Sequence, residues 1–174
     1  MRSTKKLALS ALLVAMGASF MLLGAVVEVL DLAVCAFASL IVAFVYIEIG
    51  SPYTWLVWLC TALVVAIIFP GSIIWLEYFA IFGIWPILKA YVERLPKWSW
   101  IITKLAFINA VIWLMILFAE KILGIPFFED NAFILKVATY ALMNIAFIVY
   151  DMFITVMVRF YIAKLRQRFK RLLK

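Results

Sequence analysis

KKLALSALLVAMGASFMLLGAVV, residues 5–27, opens on two lysines and then runs from Leu7 to Val27 without a charge. A helix rises about 1.5 Å per residue, so about 20 apolar residues cross a hydrocarbon core about 30 Å thick. This stretch reads as a membrane crossing, and the pattern recurs. Further apolar runs cover Leu32 to Ile47, Tyr53 to Phe69, Ser72 to Leu88, Ser99 to Phe118 and Ala132 to Val158. Gly50-Ser51-Pro52 and Pro70-Gly71 bracket the third run as turns. Uninterrupted runs of this length are helical, because a barrel needs shorter strands of alternating polarity. The fold expected is all-α: a polytopic membrane protein of six transmembrane helices.

Composition excludes a soluble domain of this size. Of the 174 residues 70% are hydrophobic and 14% charged, too few polar groups to cover a water-facing surface. The expected organisation is one membrane domain over residues 1–174 with a short basic cytoplasmic extension at 164–174. Orientation follows from the basic residues. With the N-terminus inside, Arg2, Lys5, Lys6, Lys89, Arg94, Lys97, Lys104, Arg159, Lys164, Arg166, Arg168, Lys170, Arg171 and Lys174 are cytoplasmic, 14 of the 16 Lys and Arg. Lys121 and Lys136 are left outside, with Glu28, Asp31, Glu120, Glu129 and Asp130. The excess of positive charge on one side predicts both termini in the cytoplasm and a multi-pass protein of the plasma membrane. Trp55, Trp58, Trp98 and Trp100 fall at inner helix ends and Trp75 near an outer one, as interfacial belts require. The first run also has the basic start of a secretory signal, but it is too long for one, and a retained helix is expected.

The net charge of +7 is concentrated between Arg159 and Lys174, where Phe160, Leu165, Phe169, Leu172 and Leu173 are interleaved. That pattern suits a helix end on anionic headgroups, with a cytoplasmic protein partner as the alternative; no nucleic acid is expected. The chain has no His, which excludes histidine-ligated metals and histidine acid–base catalysis. Cys35 and Cys60 lie inside apolar runs and read as packing residues. No nucleotide-binding, nucleophile-elbow or zinc-protease motif occurs, so the expectation is a non-enzyme with no cofactor, no metal and no catalytic residue. Glu28 and Asp31 at an outer helix end are weak evidence for a cation.

Three constellations remain. On the first helix Ala8, Ala11, Ala15 and Ala18 fall within an arc of about 80° at helical spacing. Small residues let another helix approach closely, either from within the bundle or from a partner protein. On the sixth helix Lys136, Tyr140, Asn144 and Asp151 share a similar arc, and on the fifth Asn109, Trp113 and Glu120 align. Polar groups are costly against lipid, so these faces should turn inward. Counting along the helices places Lys104 and Asp151 at a common inner level, as a structural salt bridge, and Asn109 near Asn144 at mid-depth. Glu77, Trp113, Glu120, Lys136, Tyr140 and Asn144 form the outer set, which reads either as a solute site or as a network that fixes helix register. Pro86, with Gly83 upstream, should kink the fourth helix, and the outer connection Gly124 to Asn131 reads as a lid or as an interfacial anchor.

Behind its short basic start, Lys6-Leu7-Ala8-Leu9-Ser10-Ala11-Leu12-Leu13-Val14-Ala15, in a six-helix chain of this size with both termini inside, resembles the substrate-binding S components of energy-coupling factor (ECF) transporters. The likeness covers the whole chain as topology and about the first 18 residues as sequence. In that family an Ala-x-x-x-Ala motif on the first helix docks the coupling subunit, and Ala11 and Ala15 match it. The resemblance implies a small-molecule solute, a vitamin or similar micronutrient, bound on the outer side by loops and the fourth to sixth helices. It also implies a lipid bilayer around the chain and, as protein partners, a transmembrane coupling subunit and two cytoplasmic ATPases. A different class of function, a small membrane scaffold of a cell-envelope complex, would use the same alanine stripe and basic tail without any solute cavity.

Overall fold

In the computed structural model, which describes residues 3–121 and 133–167, the described residues are mostly helical, with no strand among them. The helices are α1 (Ser3–Val26), α2 (Asp31–Glu48), α3 (Ser51–Ile68), α4 (Ile74–Glu77), α5 (Trp85–Val92), α6 (Lys97–Lys121) and α7 (Phe133–Phe160). Among the described residues five segments are long and apolar enough to cross a membrane: Ser3–Val26, Asp31–Glu48, Ser51–Ile68, Lys97–Phe118 and Val137–Leu165. The protein is an all-α membrane protein.

The fourth apolar run departs from a single helix. It divides into the four-residue α4, a π-helical turn at Tyr78–Phe82, a break at Gly83 and Ile84, and α5. Pro86 lies in the first turn of α5, where its missing N–H removes no intrahelical bond. The expected kink is thus a full interruption. Gly83 holds it in place: a β-carbon there would sit 2.5 Å from Trp58 Cδ1 and 2.9 Å from the Tyr78 ring.

The chain packs as two compact units. The first comprises residues 1–91 and 154–174, the second Val92–Phe153. In the first, α1, α2 and α3 pack on one another, and α4 with the π-helical turn lies against α2 and α3. α1 buries Ser10, Leu13, Gly17, Ala18, Met21 and Gly24, spaced for one face of a helix. Its glycines permit the close approach: a β-carbon on Gly17 would lie 3.3 Å from Thr61 of α3, and one on Gly24 2.9 Å from Ile74 of α4. Leu13, Ile41, Val45, Ile49 and Val57 form a core near the α2–α3 turn. That turn needs Gly50, whose φ of 108° and ψ of 171° suit glycine almost alone. In the second unit α6 and the greater part of α7 bury Ile108, Ile112, Phe147 and Tyr150, with the Phe107 and Phe147 rings 6.0 Å apart.

Candidate functional site

Helix α1 shows two opposite faces. Ala18 is in the core, whereas Ala8, Ala11 and Ala15 are exposed. Leu7, Leu12, Met16 and Leu23 flank them, also exposed, so the open face is a shallow strip of methyl groups between larger side chains. Ser19, on the same open side, donates its hydroxyl to the Ala15 carbonyl at 2.8 Å, which spares the strip a free hydroxyl. Three of the four alanines therefore lie on a surface that α1 does not use for its own packing.

Two polar pairs join α6 and α7 in the second unit. Asn144 Nδ2 donates to Asn109 Oδ1 at 3.3 Å and to the Tyr140 carbonyl at 3.0 Å, while Asn109 Nδ2 donates to the Leu105 carbonyl at 2.7 Å. Lys104 and Asp151 form an ion pair at 2.5 Å, with side-chain exposures of 20% and 10%. Lys104 Nζ also lies 5.8 Å from the Trp100 ring centroid, a cation–π distance. Tyr140 and Asn144 are half-buried, and among the described residues the buried Asn144 Oδ1 has no hydrogen-bond partner. Trp113 is 62% exposed, so its ring is on the outer surface of α6 and does not follow Asn109 inward. Glu120 and Lys136 are on the helical backbone of α6 and α7, with side chains outside the described residues, and the connection from Gly124 to Asn131 lies wholly outside them.

Glu77 belongs to the first unit, as the last residue of α4. Among the described residues its buried Oε2 has no hydrogen-bond partner, and the Asp31 carboxylate at the start of α2 is within electrostatic reach. One turn along α2, the Cys35 thiol points at the Ile74 carbonyl, 3.8 Å away. Among the described residues no group of three His, Cys, Asp or Glu could hold a metal ion.

At the other end of this unit the structure joins groups that the sequence reading did not connect. Arg166 Nε donates to Glu48 Oε1 at 2.9 Å; the Glu48 side chain is 5% exposed. Tyr161 meets Phe44 edge-on at 5.4 Å, in a π-helical turn at Tyr161–Leu165 just before Arg166. Lys6 Nζ donates to the Ile49 carbonyl at 3.4 Å and lies 5.9 Å from the Tyr53 ring centroid. Two cations from distant parts of the chain thus gather at the negative C-terminal end of α2, where the helix dipole favours them. A lone carboxylate closing an apolar run was the available signal: Glu48 needs a partner wherever it is buried. No family model, no curated protein and no solved structure matches the chain.

Proposed function

We propose that the protein is the solute-binding S component of an ECF-type uptake transporter for a vitamin or similar micronutrient. It sits in the plasma membrane as a multi-pass protein with both termini in the cytoplasm. The observation that carries this reading is the open alanine face of α1, because Ala8, Ala11 and Ala15 are exposed while the opposite face builds the core. Lipid gains nothing from such a strip, whereas a second helix can approach it closely and gain van der Waals contact along its length. The partner docked there is a transmembrane coupling subunit, which links the protein to two cytoplasmic ATPases.

The second reading is a membrane scaffold. What favours it is the closure of described polar groups on one another, Asn109 with Asn144 and Lys104 with Asp151, as a network that fixes helix register requires. One experiment separates the two. The protein is co-expressed with a coupling subunit and its ATPases and purified gently, and small molecules retained by it are identified by mass spectrometry. Ala11→Leu and Ala15→Leu are expected to abolish co-purification while leaving thermal stability unchanged, because neither position is buried. Undiminished association would defeat the docking role, and association without any stoichiometric solute would favour the scaffold.

A further inference from the structure

The π-helical turn of the fourth crossing is held by a hydrogen bond that competes with the helix itself. In a regular α-helix the Gly83 N–H would donate to the carbonyl four residues earlier, that of Phe79. It donates instead to the carbonyl of Tyr78, five residues earlier, at 2.7 Å. The Phe79 carbonyl is taken by another donor: Trp58 of α3 sends its indole N–H there at 3.2 Å and stacks on the Phe79 ring at 4.8 Å. The same indole stands against Gly83, where a β-carbon would lie 2.5 Å from Trp58 Cδ1. One side chain thus holds the acceptor that the α-helical register of Gly83 requires.

Two registers of this segment satisfy both carbonyls. With the indole in place, Tyr78 accepts from Gly83 and Phe79 accepts from Trp58. With the indole displaced, a slip of one residue lets Phe79 accept from Gly83 and Tyr78 accept from Phe82, the ordinary bonds of an α-helix. The run from Ser72 to Leu88 then continues as one helix kinked at Pro86. Trp58 lies about 10 Å along α3 from its start, inside the apolar span, where lipid offers no acceptor to a freed indole and no donor to a freed carbonyl. Opening the bond without the slip therefore leaves an orphan on each side, and the segment has two states rather than a continuum. α4 is anchored, since Ile74 packs so closely on α1 that a β-carbon on Gly24 would lie 2.9 Å from it, and Tyr78 is 1% exposed. The slip falls on α5, which turns by about 100° and moves by about 1.5 Å, the increments of one helical residue.

We propose that the Trp58 indole is a latch that keeps the fourth crossing in its interrupted register, and that its displacement switches the segment to a continuous helix and rotates α5. The device depends neither on a bound solute nor on docking at α1. The test uses the full chain with Cys35→Ser and Cys60→Ser in phosphatidylcholine bilayers. Nitroxide labels are placed one at a time along Ile74–Glu77 and Trp85–Val92, and their accessibility to oxygen, read by electron paramagnetic resonance, gives the helical phase of each half. In Trp58→Phe, which keeps a ring but loses the N–H, the offset in phase between the halves is expected to change by about 100°, one residue. Trp55→Phe, a change in the ring 5.5 Å from Trp58, should leave the offset as it is. An offset unchanged in Trp58→Phe would overturn the latch, and so would an equal change in Trp55→Phe, which would trace the effect to ring packing rather than to the hydrogen bond. Should Trp58→Phe fail to fold, Gly83→Ala pushes the indole away with its methyl group and is expected to give the same change; an unchanged offset there has the same overturning force.

Discussion

The two units of the molecule are held together by opposite means. In the first, helices meet over small residues: Gly17 and Gly24 of α1, Ala38, Ser39 and Ala43 of α2 and Ala62 of α3 are buried, and the charged pair Glu48–Arg166 stands at one end. In the second, α6 and α7 meet through polar pairs along their length, Asn109 with Asn144 and Lys104 with Asp151, beside a few aromatic rings. Both solve the same problem. Water is absent, so burying apolar surface gives helices no reason to associate, and either close steric fit or satisfied polar groups must do it. The steric solution leaves one face of α1 open; the polar solution pairs Asn109 with Asn144 and Lys104 with Asp151.

Substitutions can break this contrast, and the largest effect belongs to the ion pair. Asp151→Leu leaves the Lys104 charge without its carboxylate, and unfolding in mixed micelles should show a loss of about 3–5 kcal/mol. The double change Lys104→Met with Asp151→Leu should restore most of it; equal losses in single and double variants would show that charge is not what matters. Next comes the steric unit. Gly83→Ala drives a methyl group into the Trp58 and Tyr78 rings, and a loss of about 1–3 kcal/mol is expected by the same titration. Gly24→Ala should cost toward the lower end of that range, near 1 kcal/mol, because the nearest atom it meets is the movable end of the Ile74 side chain. Asn144→Leu should be mildest, about 0.6 kcal/mol, the usual worth of a hydrogen bond between membrane helices. If Asn144→Leu proved costlier than Gly83→Ala, the division into a steric and a polar unit would be wrong.

Part of the candidate site was legible before any coordinates. Lys104 and Asp151 were expected at one level by counting residues from the helix ends, and they do pair. Asn109 and Asn144 were matched in the same way. Counting succeeds there because both helices are long and regular, so depth is proportional to residue number. Trp113 shows where it stops. It was aligned with Asn109 by helical angle, yet its ring is exposed, since an indole is amphipathic and needs no inward face to be tolerated in a membrane. Glu48 with Arg166 was not foreseen, because 118 residues separate them and no periodicity links one helix end to another.

Hydrophobic length and charge placement alone determined that this is a helical membrane protein, because a bilayer imposes one spacing on every crossing and no side-chain contact is needed to read it. Which alanines face outward was a tertiary decision: Ala15 and Ala18 share a stripe in the sequence, but the approach of α2 and α3 buries only Ala18. The interruption after Glu77 was decided the same way. Gly83 and Pro86 permit a break, and the packing of Trp58 and Tyr78 against Gly83 turns that permission into a fixed bend with a carboxylate at its head.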